Sequence, residues 1–156
     1  MKVIKNFLPS DLIAFLHRHY LTLPHFYGHK SIEEGIPFYN HELNPQDPLT
    51  NYLCLKVKEA ISKEESLSFL RVYFNVQHVG MDGSFHEDDG DNTILLMISD
   101  TSPDGGCFEY IEDKKIKQIP FVQNTLIMFN TKFSHRGRSP KKGVRITLAF
   151  KTKKGV

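Results

Sequence analysis

His86 and Asp88 stand one residue apart in Phe85-His86-Glu87-Asp88-Asp89 and pair an imidazole with a carboxylate. In a β-strand alternate side chains share a face, so this spacing predicts both groups aimed at one spot, with Glu87 turned outward. A third candidate, His135, lies in Phe133-Ser134-His135-Arg136-Gly137. Two histidines and one carboxylate are the set that holds non-haem ferrous iron on one face and leaves the remaining positions open. Ten residues beyond His135 comes Arg145, in Val144-Arg145-Ile146-Thr147-Leu148-Ala149-Phe150. The alternation predicts a strand with Arg145 and Thr147 on one face and Ile146, Leu148 and Phe150 on the other. Each piece has ordinary structural uses in a chain of eight histidines, and a bare His-x-Asp is weak. Their order and spacing together are the selective feature.

From Arg71 to Lys151, about half of the chain, the sequence resembles the catalytic core of the Fe(II)- and 2-oxoglutarate-dependent oxygenases, nearest to the prolyl 4-hydroxylase-like branch. The residues that carry the resemblance are Tyr73, His86 with Asp88, Gly105-Gly106-x-Phe108, Pro120 with Asn124, His135, and then Pro140, Gly143 and Arg145. The resemblance implies a mainly β, double-stranded β-helix (jelly-roll) core. It implies that His86, Asp88 and His135 hold Fe(II), and that Arg145, assisted by Tyr73 and Thr147, holds the far carboxylate of 2-oxoglutarate. A guanidinium suits that task because it grips a carboxylate with two parallel hydrogen bonds. Many prolyl hydroxylase-like relatives use lysine there, so Arg145 fits the broader family without fixing a subfamily. The implied activity is hydroxylation of a C–H bond with O2, 2-oxoglutarate being decarboxylated to succinate and ascorbate serving as reductant. The implied substrate is a prolyl or other residue of a protein or peptide, or a free amino acid. Asn75 is a further candidate for cosubstrate contact or for a structural bond, and Arg136 and Arg138 for substrate contact or a solvated surface.

Three other readings compete. A nucleic-acid demethylase-type oxygenase shares the iron ligands and the terminal arginine, but its His-to-Arg spacing is usually longer than that from His135 to Arg145. A net charge of +2 also gives no strong basic bias for nucleic acid or an anionic membrane. A cupin-like metal-binding protein would bring several histidines and a glutamate from different strands. A non-enzymatic interaction module would use the helices as its contact surface.

The rest of the chain must position these groups. At 156 residues it predicts one domain with a sizeable core: 1–66 as helical support and flap, 67–151 as the catalytic core, 152–156 as a solvated tail. No apolar run approaches the length that spans a bilayer, and Met1–Asn6 lacks the long apolar segment of a secretory signal. Cys54 and Cys107 form no disulfide framework. A cytoplasmic, intracellular protein with reduced thiols is the expectation.

Residues 3–8 read as a short strand. Ser10 is expected to cap a first helix whose buried side is Leu12, Phe15, Leu16 and His19. Residues 21–47 show no sustained period and read as a flap bordering the site or as an irregular connection. Asp47-Pro48 opens a second helix with Leu49, Tyr52, Leu53, Val57, Ala60 and Ile61 inward, ended by Lys63-Glu64-Glu65-Ser66. Both helices are expected outside one sheet. In 67–79, Leu70, Val72, Phe74 and Val76 should meet the helices, and Phe69, Arg71, Tyr73, Asn75 and Gln77 the site. Residues 93–99 predict a strand buried on both sides. A turn at Asp104-Gly105-Gly106 should precede strands at 107–112 and 115–119, and Asn124 should open another.

Overall fold

The computed structural model describes residues 1–61, 67–100 and 105–155. The elements run β1 (Lys2–Ile4), α1 (Ser10–Thr22), β2 (Phe26–His29), β3 (Phe38–Leu43), α2 (Pro48–Ile61), β4 (Leu67–Gln77), β5 (Asn92–Met97), β6 (Phe108–Glu112), β7 (Lys115–Ile119), β8 (Leu126–Asn130), β9 (His135–Gly137) and β10 (Arg145–Lys154). A seven-stranded sheet has the order β1-β8-β5-β10-β4-β3-β2, and a three-stranded sheet the order β7-β6-β9. The pairings are antiparallel, and the expected mainly β, jelly-roll architecture is the one found. Among the described residues no helix is long and apolar enough to cross a membrane.

The alternation of the large sheet divides the interior in two. Val72, Phe74 and Val76 of β4, Ile94 and Leu96 of β5, and Ile146, Leu148 and Phe150 of β10 pack with Leu16 and Tyr20 of α1 and Leu53 and Val57 of α2. The other face of the same strands sets Tyr73, Leu95, Met97 and Ala149 against Phe108 of the small sheet. The helices thus cover one side of the large sheet, as expected, and the small sheet faces the other. Each buried large apolar side chain contributes about 1.5–3 kcal/mol, so the helix-covered face anchors β10 and β4 while their opposite faces remain available for polar groups.

Several expectations need correcting. Pro9, not Ser10, occupies the cap of α1: its carbonyl accepts the Ile13 amide at 3.1 Å, and Ser10 is already helical with no side-chain cap bond. Proline costs nothing there, because amides at a helix start lack intrahelical partners anyway. The buried side of α1 is Ile13, Leu16 and Tyr20, and Phe15 lies 44% exposed, stacked on His19. In α2 the Asp47 carboxylate accepts the Thr50 amide at 3.2 Å, the expected cap. Leu53 and Val57 are buried, whereas Tyr52 faces out and Thr50 and Cys54 complete the inner side. The predicted helix end at 63–66 and Asp104 of the turn signal lie outside the described residues. The strand expected over 3–8 is limited to β1. Within 21–47, β3 is an interior strand paired with β4, and β2 is the exposed edge.

A β-bulge explains why Leu70 and Phe69 face opposite to expectation. Between β4 and β10 the register runs Lys151↔Arg71 and then Thr152↔Phe69, which leaves Leu70 as the extra residue. An extra residue flips the alternation. Leu70 is therefore exposed, and Phe69 packs on Phe150 at 5.8 Å in the helix-covered core instead of facing the site. The expected tail is strand as far as Lys154: Thr152, Lys153 and Lys154 pair with Phe69, Ser68 and Leu67, and Thr152 is fully buried.

Asn124 ties the chain's start to this frame. It adopts a left-handed φ of 65°, and its side-chain amide accepts the Leu8 amide at 2.9 Å and donates to the Leu8 carbonyl at 2.7 Å. Truncation leaves both buried Leu8 groups unpaired. We expect Asn124→Ala to cost about 2–4 kcal/mol, measured as a lowered urea midpoint. An unchanged midpoint would mean that water replaces the clamp at no cost.

Candidate metal centre

The segment that carries His86 and Asp88 is not the regular strand expected. It is extended backbone held at one isolated bridge, where His86 and His135 exchange amide–carbonyl bonds of 3.0 and 2.9 Å. The Asp88 amide is fixed separately by the Thr131 carbonyl at 3.0 Å. Extended backbone still alternates, so His86 and Asp88 point one way and Glu87 is exposed. β9 delivers His135 beside them, and the two imidazole centroids lie 4.4 Å apart.

The Nδ1 of each ring sits on a backbone carbonyl two residues upstream: His86 on Ser84 at 2.9 Å and His135 on Phe133 at 2.8 Å. A carbonyl accepts only, so in the neutral imidazole the proton belongs on Nδ1 and Nε2 presents a bare lone pair. His86 Nε2 lies 3.4 Å from Asp88 Oδ1, and His135 Nε2 lies 3.3 Å from Asp88 Oδ2. The ligating atoms of the three residues all fall within 4.8 Å of one another. Three electron-pair donors aimed at one point repel unless a cation joins them. The donor set, two imidazole nitrogens and one carboxylate oxygen on one side of a cavity, fits a metal that keeps open positions. Fixing Nδ1 by hydrogen bonds also orients the rings for that purpose. Phe108 and Phe129 pack against His135, with centroids at 5.5 and 4.6 Å.

Asp88 is further held by the Thr93 hydroxyl, which donates to Oδ2 at 2.7 Å, and by the buried Lys151 ammonium on the same oxygen. Burial pushes the Asp88 carboxyl up. With both imidazoles protonated, bonds from His135 and His86, the charge of His135 and that of Lys151 outweigh it and hold the group well below the usual carboxylate range.

The cavity that these residues line, about 220 Å³, continues to Arg145 and Thr147, as alternation on β10 requires. Arg145 is buried; its Nε donates to the Gly106 carbonyl at 2.8 Å and one terminal nitrogen, Nη1, to Gln77 Oε1 at 2.6 Å. Among the described residues its other terminal nitrogen, Nη2, is buried without a hydrogen-bond partner, and so is Thr147 Oγ1. Burial lowers the guanidinium to about 10, which leaves it charged at neutral pH. Gly137 packs flat on it, and an added Cβ there would fall 2.8 Å from Nη1. An orphaned cationic donor beside an orphaned hydroxyl, both in the cavity wall, fits a carboxylate ligand.

Tyr73 faces the cavity with the Arg71 guanidinium 5.1 Å from its ring. Burial, then the charge of Asp88, pushes its phenol up, so it stays a donor. Asn75 lines the same wall and accepts from Asn40 at 2.7 Å. Arg136 and Arg138 do not line the cavity: Arg136 is spent on Glu109 at 2.6 Å and Arg138 on Asp82 at 3.0 Å. His29, Lys30, Ser31 and Phe38 border it, so part of the 21–47 segment does flank the site. Sequence reasoning missed Lys151, Thr93 and Gly137. Extending the alternation from Arg145 through Thr147 and Ala149 would have reached Lys151, whereas Thr93 is hidden in an apolar run.

No family model and no curated protein sequence matches the chain. Solved structures do. A 2OG-Fe(II) oxygenase family oxidoreductase from Burkholderia pseudomallei is 12% identical, with a TM-score of 0.79 over 97% of this chain and 84% of that one. The viral collagen prolyl hydroxylase of Paramecium Bursaria Chlorella virus-1, in a 2OG complex, is 16% identical, with a TM-score of 0.76 over 99% and 96%. A prolyl hydroxylase from Trichoplax adhaerens, in complex with a hypoxia inducible factor peptide fragment, is 15% identical, with a TM-score of 0.79 over 97% and 82%. Nearly the full length of this chain therefore adopts the fold of the 2OG-Fe(II) oxygenases, prolyl hydroxylases among them.

Proposed function

We propose that the protein is an Fe(II)- and 2-oxoglutarate-dependent oxygenase that hydroxylates a C–H bond of a prolyl or other amino-acid residue in a protein or peptide, or of a free amino acid. One observation carries this reading. The His86, Asp88 and His135 donors open into the same cavity as the unpartnered Arg145 Nη2 and Thr147 Oγ1. A metal-binding jelly roll without a cosubstrate has no use for the second pair. The fold shared with 2OG-Fe(II) oxygenases supports the reading.

In this reading His86, Asp88 and His135 hold the ferrous ion, and Arg145 with Thr147 holds the far carboxylate of 2-oxoglutarate, Tyr73 donating beside them. When bound, iron with 2-oxoglutarate and O2 supplies the oxidation: one oxygen atom enters the substrate C–H bond, and 2-oxoglutarate leaves as succinate and carbon dioxide. The chain's task is to orient the cosubstrate and exclude water. A cavity of about 220 Å³ is below the roughly 300–1,000 Å³ of pockets that engulf larger ligands. It suits a small diacid, with the substrate approaching from the mouth. His29, Lys30, Ser31 and Phe38 border that mouth. Lys30 and Arg71 there are matched by Glu87 and Asp89, which gives no argument for a polyphosphate substrate.

Purified protein with Fe(II), ascorbate, O2 and 2-oxoglutarate should release succinate, and the anaerobic Fe(II)·2-oxoglutarate complex should show a visible charge-transfer band. Neither binding nor turnover would return the assignment to a cupin-like metal protein. Asp88→Ala or His135→Ala should weaken Fe(II) binding by more than about 100-fold, since losing a ligand outweighs the 10–100-fold cost of losing its supports. Arg145→Met should keep iron and weaken 2-oxoglutarate about 100-fold, from loss of a charge-assisted pair. Gly137→Ala should act in the same direction, because the new methyl must displace the guanidinium. Calorimetric titration separates the two ligands, and parallel loss of both in Arg145→Met would contradict the assigned role.

A further inference from the structure

Lys151 has no part in the reading above, yet it is among the most deeply buried charges of the protein, its side chain 3% exposed. Alternation from Arg145 carries it onto the cavity wall, where it pairs with Arg71 beside the bulge of β4. Its direct cross-strand neighbour on β5 is Thr93. The ammonium donates to Asp88 Oδ2 and to Thr93 Oγ1 at 3.3 Å, and Thr93 passes its own proton to the same Oδ2 at 2.7 Å. The donors on Asp88 are thus unequally shared. Oδ2 takes a cation and a hydroxyl and faces His135 Nε2 at 3.3 Å, whereas among the described residues Oδ1 faces only His86 Nε2, at 3.4 Å.

A carboxylate can bind a metal through one oxygen or two. The geometry points to Lys151 as a positioning residue that, through Thr93, reserves Asp88 Oδ2 and restricts Asp88 to one-oxygen coordination through Oδ1. The inference rests on the metal-site reading above. Its consequence is specific: the coordination position that a chelating Asp88 would take stays free for a bidentate cosubstrate. The ammonium also offsets the carboxylate's charge before metal arrives, which keeps a buried anion from standing unpaired. Arginine could make the same two donations, whereas methionine fills the volume and makes neither.

The test uses the full chain loaded with Co(II), an air-stable probe whose visible absorption weakens as coordination number rises. Wild type should bind Co(II) and then 2-oxoglutarate. Lys151→Met should keep Co(II) binding, show a weaker visible band, and lose about tenfold in 2-oxoglutarate affinity, the lower end for a lost ligand support. Lys151→Arg should restore band and affinity, and Thr93→Val should shift both in the methionine direction. A wild-type spectrum and affinity in Lys151→Met overturns the inference and leaves the oxygenase reading standing. If wild type itself binds neither probe, both fall. Where circular dichroism shows Lys151→Met unfolded, Thr93→Val decides, an unchanged band and affinity counting against the inference.

Discussion

Two reciprocal backbone hydrogen bonds between His86 and His135 are the constraint on which the site depends. The segments they join are distant in sequence, and neither is stiff by itself: one is an isolated bridge, the other a three-residue strand. Once joined, both histidines use the same local device, a ring nitrogen bonded to the carbonyl two residues upstream. The pairing sets the distance between the rings, and the device sets which nitrogen of each ring is bare. Asp88 then needs only the extended spacing from His86, plus its own amide bond to Thr131, to complete the convergence. The large sheet contributes the opposite wall, where Arg145, Thr147 and Lys151 arrive by simple alternation along β10.

The legible part of this architecture is what depends on local periodicity. Arg145 and Thr147 on one face of a strand, with Ile146, Leu148 and Phe150 on the other, follow from period two, and the burial obeys it. Val72, Phe74 and Val76 against the helices follow in the same way. The triad was legible because residue type and order carry chemical information that survives without knowledge of the fold. What escaped depends on partners remote in sequence. Nothing in Phe69-Leu70-Arg71 announces a bulge, because the extra residue is defined only against Lys151 and Thr152 across the sheet. Its effect is local but decisive: one extra residue reverses the facing of the β4 residues before it, so Leu70 turns out to solvent and Phe69 leaves the predicted wall. The helix α1 misreading is milder. Leu12, Phe15, Leu16 and His19 and the observed Ile13, Leu16 and Tyr20 lie on overlapping helical faces, and only packing on Phe74, 4.8 Å from Tyr20, chooses between them.

Lys151 shows a different limit. A lysine near a chain end that continues Lys-Thr-Lys-Lys reads as solvated, since lysine is seldom buried without a partner. The partner is Asp88, whose spacing from His86 also makes it a ligand candidate. The two oxygens of one carboxylate can serve different groups.

Unpartnered buried polar atoms do not by themselves mark a functional site here. Tyr20 Oη, His41 Nδ1 and Thr125 Oγ1 share that status with Arg145 Nη2 and Thr147 Oγ1. Each such group forgoes solvation worth about 1–3 kcal/mol, and the first three do not line the cavity that holds the triad. The last two are distinguished by position and by sign. They sit two residues apart on the strand wall facing the His–Asp–His donors, and one carries a charge that burial penalises but does not remove at neutral pH. A guanidinium in that state is held by Gly106, Gln77 and the flat approach of Gly137, all of which orient it and none of which neutralises it. The arrangement costs folding energy in the free protein, part of which an anionic ligand would return on binding. That asymmetry, cationic and unpaired on one wall, electron-pair donating on the other, is the physical reason to place a diacid between Arg145 and a metal ion.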